Sequence, residues 1–473
     1  MSIADEIIAG NQPDFDYYIN SGESLDDIDE YGFTPLIECA ITNKIAIAEQ
    51  LIARHVLIDK PDVTGRTALH WAVDNNNFKL CELLLKHGAN ANAYTKAGLV
   101  ILVYPILRRQ TALKNLLLQH GGKLDFALDF INGKLIGHRF ELKGDVDIVN
   151  AENEFIELDY EGFILEFTIS VVKDALYRFV HSYSTRQSRQ HFPFFHPIIR
   201  AFAVAADLLK IQQNRRIPQA QRQHLIQLLK SPMLIFPVAS AGHALCFVTM
   251  NDWWAKIDRG ANSLKEGSVN VYKISHPERI NIDFLQELLY KKQPRRYFQE
   301  IINHQLGLVP VFTMPISSQI AGNCSWANVQ AVVPVAYVLQ QLNSVPLNKL
   351  DINQALAIYN QWVEWDKERS LAECISRFHL ANVRRKASIA AILGAILFQT
   401  CIYTHSEHLI RAEKILAILT QSEYYYVLAS YLEIYCVKRL THKGNNLLKV
   451  LDDCGVNPNI GVNFIATDSS QTR

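Results

Sequence analysis

Near the start of the chain, apolar positions recur in blocks that repeat every 33 residues. Gly32-Phe-Thr-Pro-Leu36 is followed by Gly65-Arg-Thr-Ala-Leu69, and Gly98 stands another 33 positions along the chain. The blocks continue into leucines and alanines at helical spacing, most clearly from Lys79 to Ala89. This pattern predicts stacked helix pairs, in which glycine permits the turn, threonine caps the first helix and the apolar stripes bury one another.

The stretch GRTALHWAVDNNNFKLCELLLKHGANANA, Gly65–Ala93, resembles an ankyrin repeat. His70 stands at the position of the repeat's usual histidine, which stabilises a turn. Ile7–Tyr31 resembles a degenerate first repeat that acts as a cap, and Gly98–Lys123 resembles a divergent third one. The resemblance implies a solenoid over residues 1–124 whose surface binds a partner protein, and it implies no reaction.

After Gly122, apolar residues alternate with polar ones around glycine and asparagine, which is typical of short strands. This alternation predicts strands within Phe130–Leu142 and Gly144–Phe163. Further strand-like runs are Met233–Val238, His243–Met250, Trp254–Ile257, Val269–Ile274 and Leu308–Met314. Glu166 to about Lys230 is predicted to be helical, with an interruption at the HFPFFHP stretch. A small sheet with helices on it indicates an α+β domain.

From Leu347 to about Leu451 the apolar spacing is almost wholly helical. Ala387–Tyr403 is apolar, but it is short for a membrane span and contains glutamine and threonine, so it predicts a buried helix and no membrane-spanning segment. The aromatic run Glu423–Tyr431 is interpreted as core and interface. His442–Gly461 resembles the close of a further ankyrin unit.

The charge balance and the cysteine spacing of the chain argue against several classes of partner and cofactor. The chain has 473 residues, of which 47 are basic and 47 acidic, so no overall charge draws it to nucleic acid or to a membrane surface. Its eight cysteines include no CxxC pair and no zinc-finger spacing, so we predict reduced thiols, no metal and no cofactor. The N-terminal residues MSIADEIIAG lack the apolar segment of a secretory signal peptide.

Cys324 is the first candidate for chemistry. It lies in SSQIAGNCSWANVQAVV, Ser317–Val333, where a loop turns into a predicted helix that Pro334 should end or kink. The positive potential and the free N–H groups of a helix N-terminus stabilise a thiolate. A buried structural cysteine could occupy the same place, so the position alone does not establish a nucleophile.

Other residues supply the partners that a nucleophilic thiol needs. His243 begins an apolar strand, and Asp258 ends the next one fifteen residues later, so adjacent strands can bring the two together. Gln319 precedes Cys324 by five residues, close enough for its amide to help bind an oxyanion. Asp252 and Asn262 remain alternatives to Asp258, because loop length decides which one meets the histidine.

The chain order His243, Asp258, Gln319 and Cys324 resembles the clan of cysteine peptidases that includes SUMO proteases and adenoviral proteinase, an architecture shared with bacterial acetyltransferase effectors. The resemblance implies a general base, an orienting acid, an oxyanion donor and a nucleophile, in that order. The pattern departs at Ala244, where SUMO proteases have tryptophan, and at Asn323-Cys324-Ser325, where they have Asp-Cys-Gly.

A second resemblance remains open. The letters GNCSW, preceded by a glutamine, are also similar to the cysteine motif of the papain family. In that family the histidine follows the cysteine, and His379 would then be the candidate base, although it lies in a predicted helix.

Together these features predict an α+β multidomain protein. It has an ankyrin solenoid over 1–124, a cysteine-peptidase-like domain (papain-like or SUMO-protease-like) over 125–343, and a helical region over 344–473. The combination resembles the ankyrin-repeat effectors that Legionella delivers into host cells by type IV secretion, with the polar tail Ala466–Arg473 compatible with a translocation signal. The resemblance implies a virulence function in the host cytosol or nucleus. Two hypotheses follow: an interaction scaffold with an inactive thiol site, or an active peptidase, isopeptidase or acyltransferase that acts on a host protein held by the repeats.

Overall fold

The protein is represented by a computed structural model, which describes residues 3–150, 152–212, 219–240, 242–260, 267–319 and 322–457. Its contacts divide the chain into two compact units. The first comprises 1–137, 144–159 and 374–473, and the second comprises 138–143 and 160–373. The predicted boundaries at residues 124 and 343 stay predictions, and the polar tail lies outside the described residues.

The N-terminal part consists of successive helix pairs, as the 33-residue period predicts. The helices are α1 (Ile3–Ala9), α2 (Phe15–Asn20), α3 (Pro35–Thr42), α4 (Ile45–Ala53), α5 (Ala68–Asp74), α6 (Phe78–Lys86), α7 (Val103–Leu107) and α8 (Thr111–Gln119). The Thr34 hydroxyl caps α3 by accepting the Ile37 N–H at 3.2 Å. His70 Nδ1 accepts the Thr67 N–H at 3.1 Å, so this histidine has the structural role predicted for it.

The first unit continues with a long helix, a hairpin and a helical cluster. These elements are α9 (Leu124–Arg139), whose last two residues belong to the second unit, β1 (Asp145–Val149), β2 (Phe155–Asp159), α17 (Val383–Thr400), α18 (Ser406–Leu419), α19 (Tyr425–Leu432), a π-helical turn at Glu433–Val437 and α20 (His442–Asp453). The apolar stretch Ala387–Tyr403 lies mainly in α17, whose central residues are buried, as predicted.

The strand prediction for Phe130–Leu142 was wrong, because most of this segment belongs to helix α9. Its glycines suggested breaks, but Gly133 instead permits close packing of the helix. A Cβ there would lie 3.3 Å from a Leu158 methyl and 3.4 Å from an Ile392 methyl. The strands predicted within Gly144–Phe163 are present as β1 and β2.

The second unit is an antiparallel sheet with helices. Its elements in chain order are α10 (Leu165–His181), a 3-10 helix at Tyr183–His191, α11 (Phe192–Gln212), α12 (Gln219–Leu229), β3 (Met233–Ser240), β4 (His243–Met250), β5 (Trp253–Ile257), β6 (Val269–Ile274), a 3-10 turn at Pro277–Arg279, α13 (Ile282–Leu285), π-helical turns at Gln286–Tyr290 and Tyr297–Ile301, α14 (Ile302–Leu306), β7 (Leu308–Met314), α15 (Cys324–Gln341), a 3-10 turn at Leu347–Lys349 and α16 (Ile352–Leu380), which ends in the first unit. The interruption expected at HFPFFHP falls earlier, over Tyr183–His191, and the prolines of that stretch lie in α11.

The sheet has the order β3-β4-β5-β6-β7, with every neighbouring pair antiparallel. One core of this unit forms around Phe236, Phe247 and Trp254 from three adjacent strands. Helix α15 packs on β4 and β5. It continues past Pro334 to Gln341, so of the two outcomes predicted for this proline the helix does not end there, and a kink stays a prediction.

The described residues include one helical stretch, Tyr183–Lys210, that is long and apolar enough to cross a membrane. Within its most apolar window, 44% is buried inside the protein. Core helices of folded proteins meet the same criterion, so this stretch is weak evidence for a membrane span.

Candidate functional site

The candidate thiol site lies where three elements of the second unit begin or end. His243 is the first residue of β4, Asp258 directly follows β5, and Cys324 is the first residue of α15. Strands β4 and β5 form an antiparallel pair whose last register partners are Cys246 and Ile257. This pairing brings the start of β4 next to the end of β5, and therefore His243 next to Asp258.

The four predicted site residues are brought to one region by this arrangement. His243 Nε2 lies 2.7 Å from Asp258 Oδ1, which leaves Nδ1 as the ring nitrogen available to the thiol. The sulfur of Cys324 accepts the Ala244 N–H at 3.3 Å, which places it beside the histidine's neighbour in β4. Gln319 belongs to the loop that leads to α15, and its N–H donates to the Arg259 carbonyl at 2.8 Å.

The three charged groups shift one another in the direction that thiol chemistry requires. The hydrogen bond to Asp258 and the interaction with Cys324 raise the pKa of His243 to about 9. Burial acts to raise the pKa of Cys324, but His243 and the N–H groups of Ala244 and Ser325 outweigh it and lower the pKa below its ordinary value. Burial acts to raise the pKa of Asp258 as well, but His243, the Gly260 N–H and Lys256 together outweigh it and lower that pKa. The arrangement therefore favours a thiolate–imidazolium pair.

The other thiols differ from Cys324. Burial raises the pKa of six of them, namely Cys39, Cys81, Cys246, Cys374, Cys436 and Cys454. The pKa reaches about 12 for Cys39, Cys81 and Cys374. A raised pKa leaves little thiolate near neutral pH, so these cysteines should react slowly.

Ala244 contacts the residues around Cys324 through its backbone. The Ala244 N–H donates to Cys324 Sγ, and its carbonyl accepts from the amide of Asn328 at 2.7 Å. The Asn328 side-chain oxygen in turn accepts the Arg259 N–H at 2.8 Å. Asn328 is completely buried and lies one helical turn after Cys324, so it fixes α15 against β4 and the loop after β5.

Arg259 links this loop to the segment that carries Gln319. The guanidinium donates to the Ser317 carbonyl at 2.8 Å and to the Ala327 carbonyl at 3.3 Å, and the residue is only 5% exposed. These bonds tie Arg259 both to the segment before Cys324 and to the first turn of α15. The Gln319 side-chain oxygen is buried and has no hydrogen-bond partner among the described residues, as is also true of the Asn323 and Ser325 side-chain oxygens.

Two glycines lie close to side chains around the site. A Cβ on Gly260 would lie 2.6 Å from Cε1 of His243 and 3.2 Å from Oδ1 of Asp258, while the Gly260 N–H donates to that same oxygen at 3.1 Å. A Cβ on Gly322 would lie 2.7 Å from the carboxyl carbon of Glu161. Any larger residue at 260 would therefore displace the imidazole or the carboxylate.

A cavity of about 270 Å³ opens beside the imidazole. Its walls include His243, Asp258, Lys256 and Arg295, together with the Ser240 hydroxyl and the Gln299 amide. The His243 side chain is 31% exposed, so a substrate can approach the ring. At the start of α15, Asn323 makes no side-chain hydrogen bond at the cap, and its carbonyl accepts the Trp326 N–H at 2.9 Å.

Two of the alternatives offered by the sequence, Asp252 and His379, have other neighbours, and the third falls outside the described residues. Asp252 forms an ion pair with Lys273, and Asn262 lies outside the described residues. His379 is exposed near the end of α16, where its ring packs edge-on against Phe378. Within the described part of the chain, Asp258 is the acid that bonds His243.

Sequence reasoning missed Asn328, Arg259 and Gly260. A signal for Asn328 was present, because an asparagine four positions after Cys324 on an apolar helix must bury its amide and find partners. Arg259 and Gly260 directly follow Asp258, but only the three-dimensional arrangement shows what their backbone and side chains contact.

The N-terminal region is similar to ankyrin repeats of known proteins. A family model described as ankyrin repeats matches residues 6–95 in three copies. Human inversin is 36% identical over 62 residues, which are 13% of this chain and 6% of that protein. A putative ankyrin repeat protein of fowlpox virus is 34% identical over 64 residues, which are 14% of this chain and 10% of that protein. The chain thus matches a small part of each of these curated relatives.

A solved structure matches nearly the whole chain. The structure of the Legionella effector AnkH is 66% identical, with a TM-score of 0.77, and the match covers 98% of this chain and 99% of that one. The fold and its repeats define an ankyrin-repeat protein of α+β multidomain architecture, as predicted. At this identity and coverage, the chain belongs to the family of the Legionella effector AnkH. The predicted resemblance to Legionella ankyrin-repeat effectors is confirmed, whereas the peptidase-like assignment stays a prediction.

Proposed function

We propose that this protein is a translocated effector that binds a host protein through its ankyrin repeats and attacks a carbonyl of that protein with Cys324. Membership in the family of a Legionella effector supports delivery into a host cell. The repeats support binding of a protein, because ankyrin surfaces display side chains along a rigid array. The host cytosol and nucleus are the proposed compartments, and their reducing conditions keep free thiols available.

In the proposed reaction, the Cys324 thiolate attacks the carbonyl carbon of a peptide or isopeptide bond. A carbon–sulfur bond forms, and the oxyanion is held by the Cys324 backbone N–H at the start of α15 with the Gln319 side-chain amide alongside. The carbon–nitrogen bond breaks when the His243 imidazolium gives its proton to the leaving amine. Water then attacks the thioester with His243 as the base, which releases a carboxylic acid and restores the thiol.

The observation that carries the proposal is the pairing of His243 with Asp258 at 2.7 Å beside a thiol whose pKa is lowered. Brief treatment with iodoacetamide at about pH 6.5, followed by peptide mass spectrometry, should modify Cys324 before the other cysteines. His243→Ala should slow this modification by about tenfold or more, because the imidazolium no longer stabilises the thiolate.

His276→Ala is the matched control, since it removes an exposed histidine of the same unit and should leave the labelling unchanged. If Cys324 reacts no faster than Cys246, or if His243→Ala has no effect, the site is a structural remnant. The protein would then be an interaction scaffold that acts by occupying a host complex.

An activated thiol does not by itself establish turnover. Purified protein should therefore be incubated with host lysate, and new peptide N-termini and lost isopeptide linkages compared with those produced by Cys324→Ala. A thioester trapped on Cys324 without any cleaved bond would instead indicate acyl transfer, in which an acceptor amine or hydroxyl takes the place of water.

A further inference from the structure

A groove on the first unit has the chemistry of a cation-binding site. It has a volume of about 380 Å³ and lies between the β1–β2 hairpin, α17 and α19 with its π-helical turn. Its walls include Asp145, Asp147, Phe155, Tyr426, Tyr431 and Tyr435. Such π-turns often occur at functional positions because they redirect side chains from the regular helix surface.

Two aromatic side chains of this groove are exposed to solvent, and two more are partly buried beside them. Phe155 is 61% exposed and Tyr426 is 46% exposed, beside Ile434 at 50%. The ring of Tyr431 stacks on Phe398 at a centroid distance of 4.7 Å, and Tyr435 lies 4.4 Å from the same ring, which fixes both tyrosines. The faces of fixed aromatic rings carry negative potential and attract cations.

Asp145 and Asp147 add negative charge to the walls of this groove. Between Gly144 and Gly162 the sequence contains seven acidic residues and no basic one, although the whole chain has no net charge. Within the described part of the chain, neither Asp145 nor Asp147 forms an ion pair with a lysine or arginine. Asp147 lies close enough to the tyrosines to help raise the pKa of Tyr426 and of Tyr431, after the effect of burial.

The register of the hairpin leaves this charge unrelieved. Asp145 pairs across the strands with Asp159, and Asp147 pairs with Glu157, so like charges lie opposite each other. Such pairs destabilise a hairpin. Lys134 compensates Asp159 at 2.9 Å, but no described lysine or arginine forms an ion pair with Asp147 or Glu157. An external cation would supply the missing charge.

The residues of this groove favour a cationic protein side chain over a metal ion, a nucleic acid or a lipid. Among the described residues, no group of three or more histidine, cysteine, aspartate or glutamate side chains is arranged to hold a metal ion. The acidic hairpin would repel nucleic acid phosphates and anionic lipids. We propose that this groove binds a lysine or arginine side chain in a basic segment of a partner protein, at a site separate from the ankyrin repeats.

The test uses the full chain and two fluorescein-labelled peptides. One contains two lysines flanked by leucine and alanine, and the other is the same peptide with both lysines acetylated. Fluorescence anisotropy should show binding of the lysine peptide that weakens strongly between about 50 and 500 mM salt. The acetylated peptide should bind at least about tenfold more weakly, because it keeps the apolar groups and loses the charge.

Variants assign the binding to the groove. The double variant D145N/D147N should weaken the lysine peptide by about tenfold, and Tyr426→Ala should weaken it several-fold. Asp283→Asn, at an exposed acid of the second unit, and Cys324→Ala should leave binding unchanged. D145N/D147N removes like-charge repulsion, so it should melt no earlier than wild type, and loss of binding cannot be attributed to unfolding.

Three results would overturn the proposal: no binding of the lysine peptide at millimolar concentration, equal binding of the acetylated peptide, or full binding by D145N/D147N. Because Cys324 plays no part in this groove, either outcome is independent of the thiol chemistry proposed above.

Discussion

The ankyrin repeats and the thiol site differ in how regularly their contacting residues are spaced along the chain. Between repeats, Asn75 bonds the Ala40 carbonyl 35 positions away and Asn92 bonds the Gly121 carbonyl 29 positions away, so each contact joins neighbouring copies of one pattern. In the thiol site, His243 and Asp258 are 15 positions apart, and Ala244 and Cys324 are 80 apart. A change that breaks the packing between repeats should therefore disturb the whole array. A change in the thiol site can abolish its chemistry while the fold is kept.

The largest effect is expected in the repeats. Leu84 is completely buried in α6, and Leu84→Asp would place an unpaired charge between repeats. We expect the free energy of unfolding to fall by roughly 4 kcal/mol, which would disrupt the array. Urea titration followed by circular dichroism measures this change.

The control is Leu57→Asp in the same array, where the leucine is 62% exposed. It should change the free energy of unfolding by less than about 1 kcal/mol. If the two variants unfold at the same urea concentration as wild type, Leu84 does not contribute to an inter-repeat core and the repeat packing described above is wrong.

This contrast also explains what the sequence could predict. The repeats were predicted because one pattern at a fixed period specifies both the helices and their neighbours. The strands around His243 were predicted from short apolar runs. Asp258 was preferred over Asp252 and Asn262 as the partner of His243 because two adjacent strands can bring the two residues together. Helix α9 was mistaken for strands, because Gly133 marks a close contact with Leu158 and Ile392 that no local pattern reveals.

The supporting residues of the thiol site were hidden for the same reason. Asn328 connects Ala244 and Arg259 across segments distant in sequence, and this role depends on the packing of α15 against the sheet. Gly260 is small because the imidazole needs its space, which is evident only when the ring is in place.

Gly260→Ala should sharpen the comparison, because it targets the site and spares the repeats. Its Cβ would lie 2.6 Å from the imidazole, so the ring or the Asp258 carboxylate must move. We expect alkylation of Cys324 to slow by about tenfold, with a much smaller effect on the urea midpoint than Leu84→Asp. Labelling kinetics at wild-type rate in a folded Gly260→Ala protein would contradict the assigned position of His243.

A smaller effect is expected in the pH dependence of stability. The folded protein raises the pKa of His243 from 6.5 to about 9, with the Asp258 bond as the largest cause. Folding therefore binds a proton there, and the stabilisation is complete below about pH 6.5 and is lost as the pH rises through the folded-state pKa. Cys324, whose pKa is lowered, contributes in the opposite direction at alkaline pH, so the measurement belongs in a Cys324→Ser background.

That background also removes the contribution of Cys324 to the raised pKa of His243 and leaves the contribution of Asp258. The advantage in unfolding free energy of His243 over His243→Gln should therefore decline as the pH rises above about 6.5, and the decline should be complete before the pH reaches the value of about 9 that applies with the thiol present. Urea midpoints at several pH values measure it, and Asp258→Asn should remove most of the decline by removing the partner. A difference that stays constant over this range would show that the His243–Asp258 pair does not titrate as the geometry implies.

The last prediction is that Cys324→Ala has no effect on the binding of host proteins. It tests whether the repeats and the thiol site have separate functions. Cys324→Ala removes a half-buried sulfur from the second unit and changes no residue of the repeats, so host proteins captured through the repeats should be retained at wild-type levels. Quantitative mass spectrometry of host proteins captured by wild type, Cys324→Ala and Leu84→Asp provides the measurement, with Leu84→Asp expected to lose the same partners. If Cys324→Ala loses them while its melting curve stays that of wild type, the thiol takes part in holding the partner. Partner binding would then depend on the thiol as well as on the repeats, and the two regions would not have separate functions.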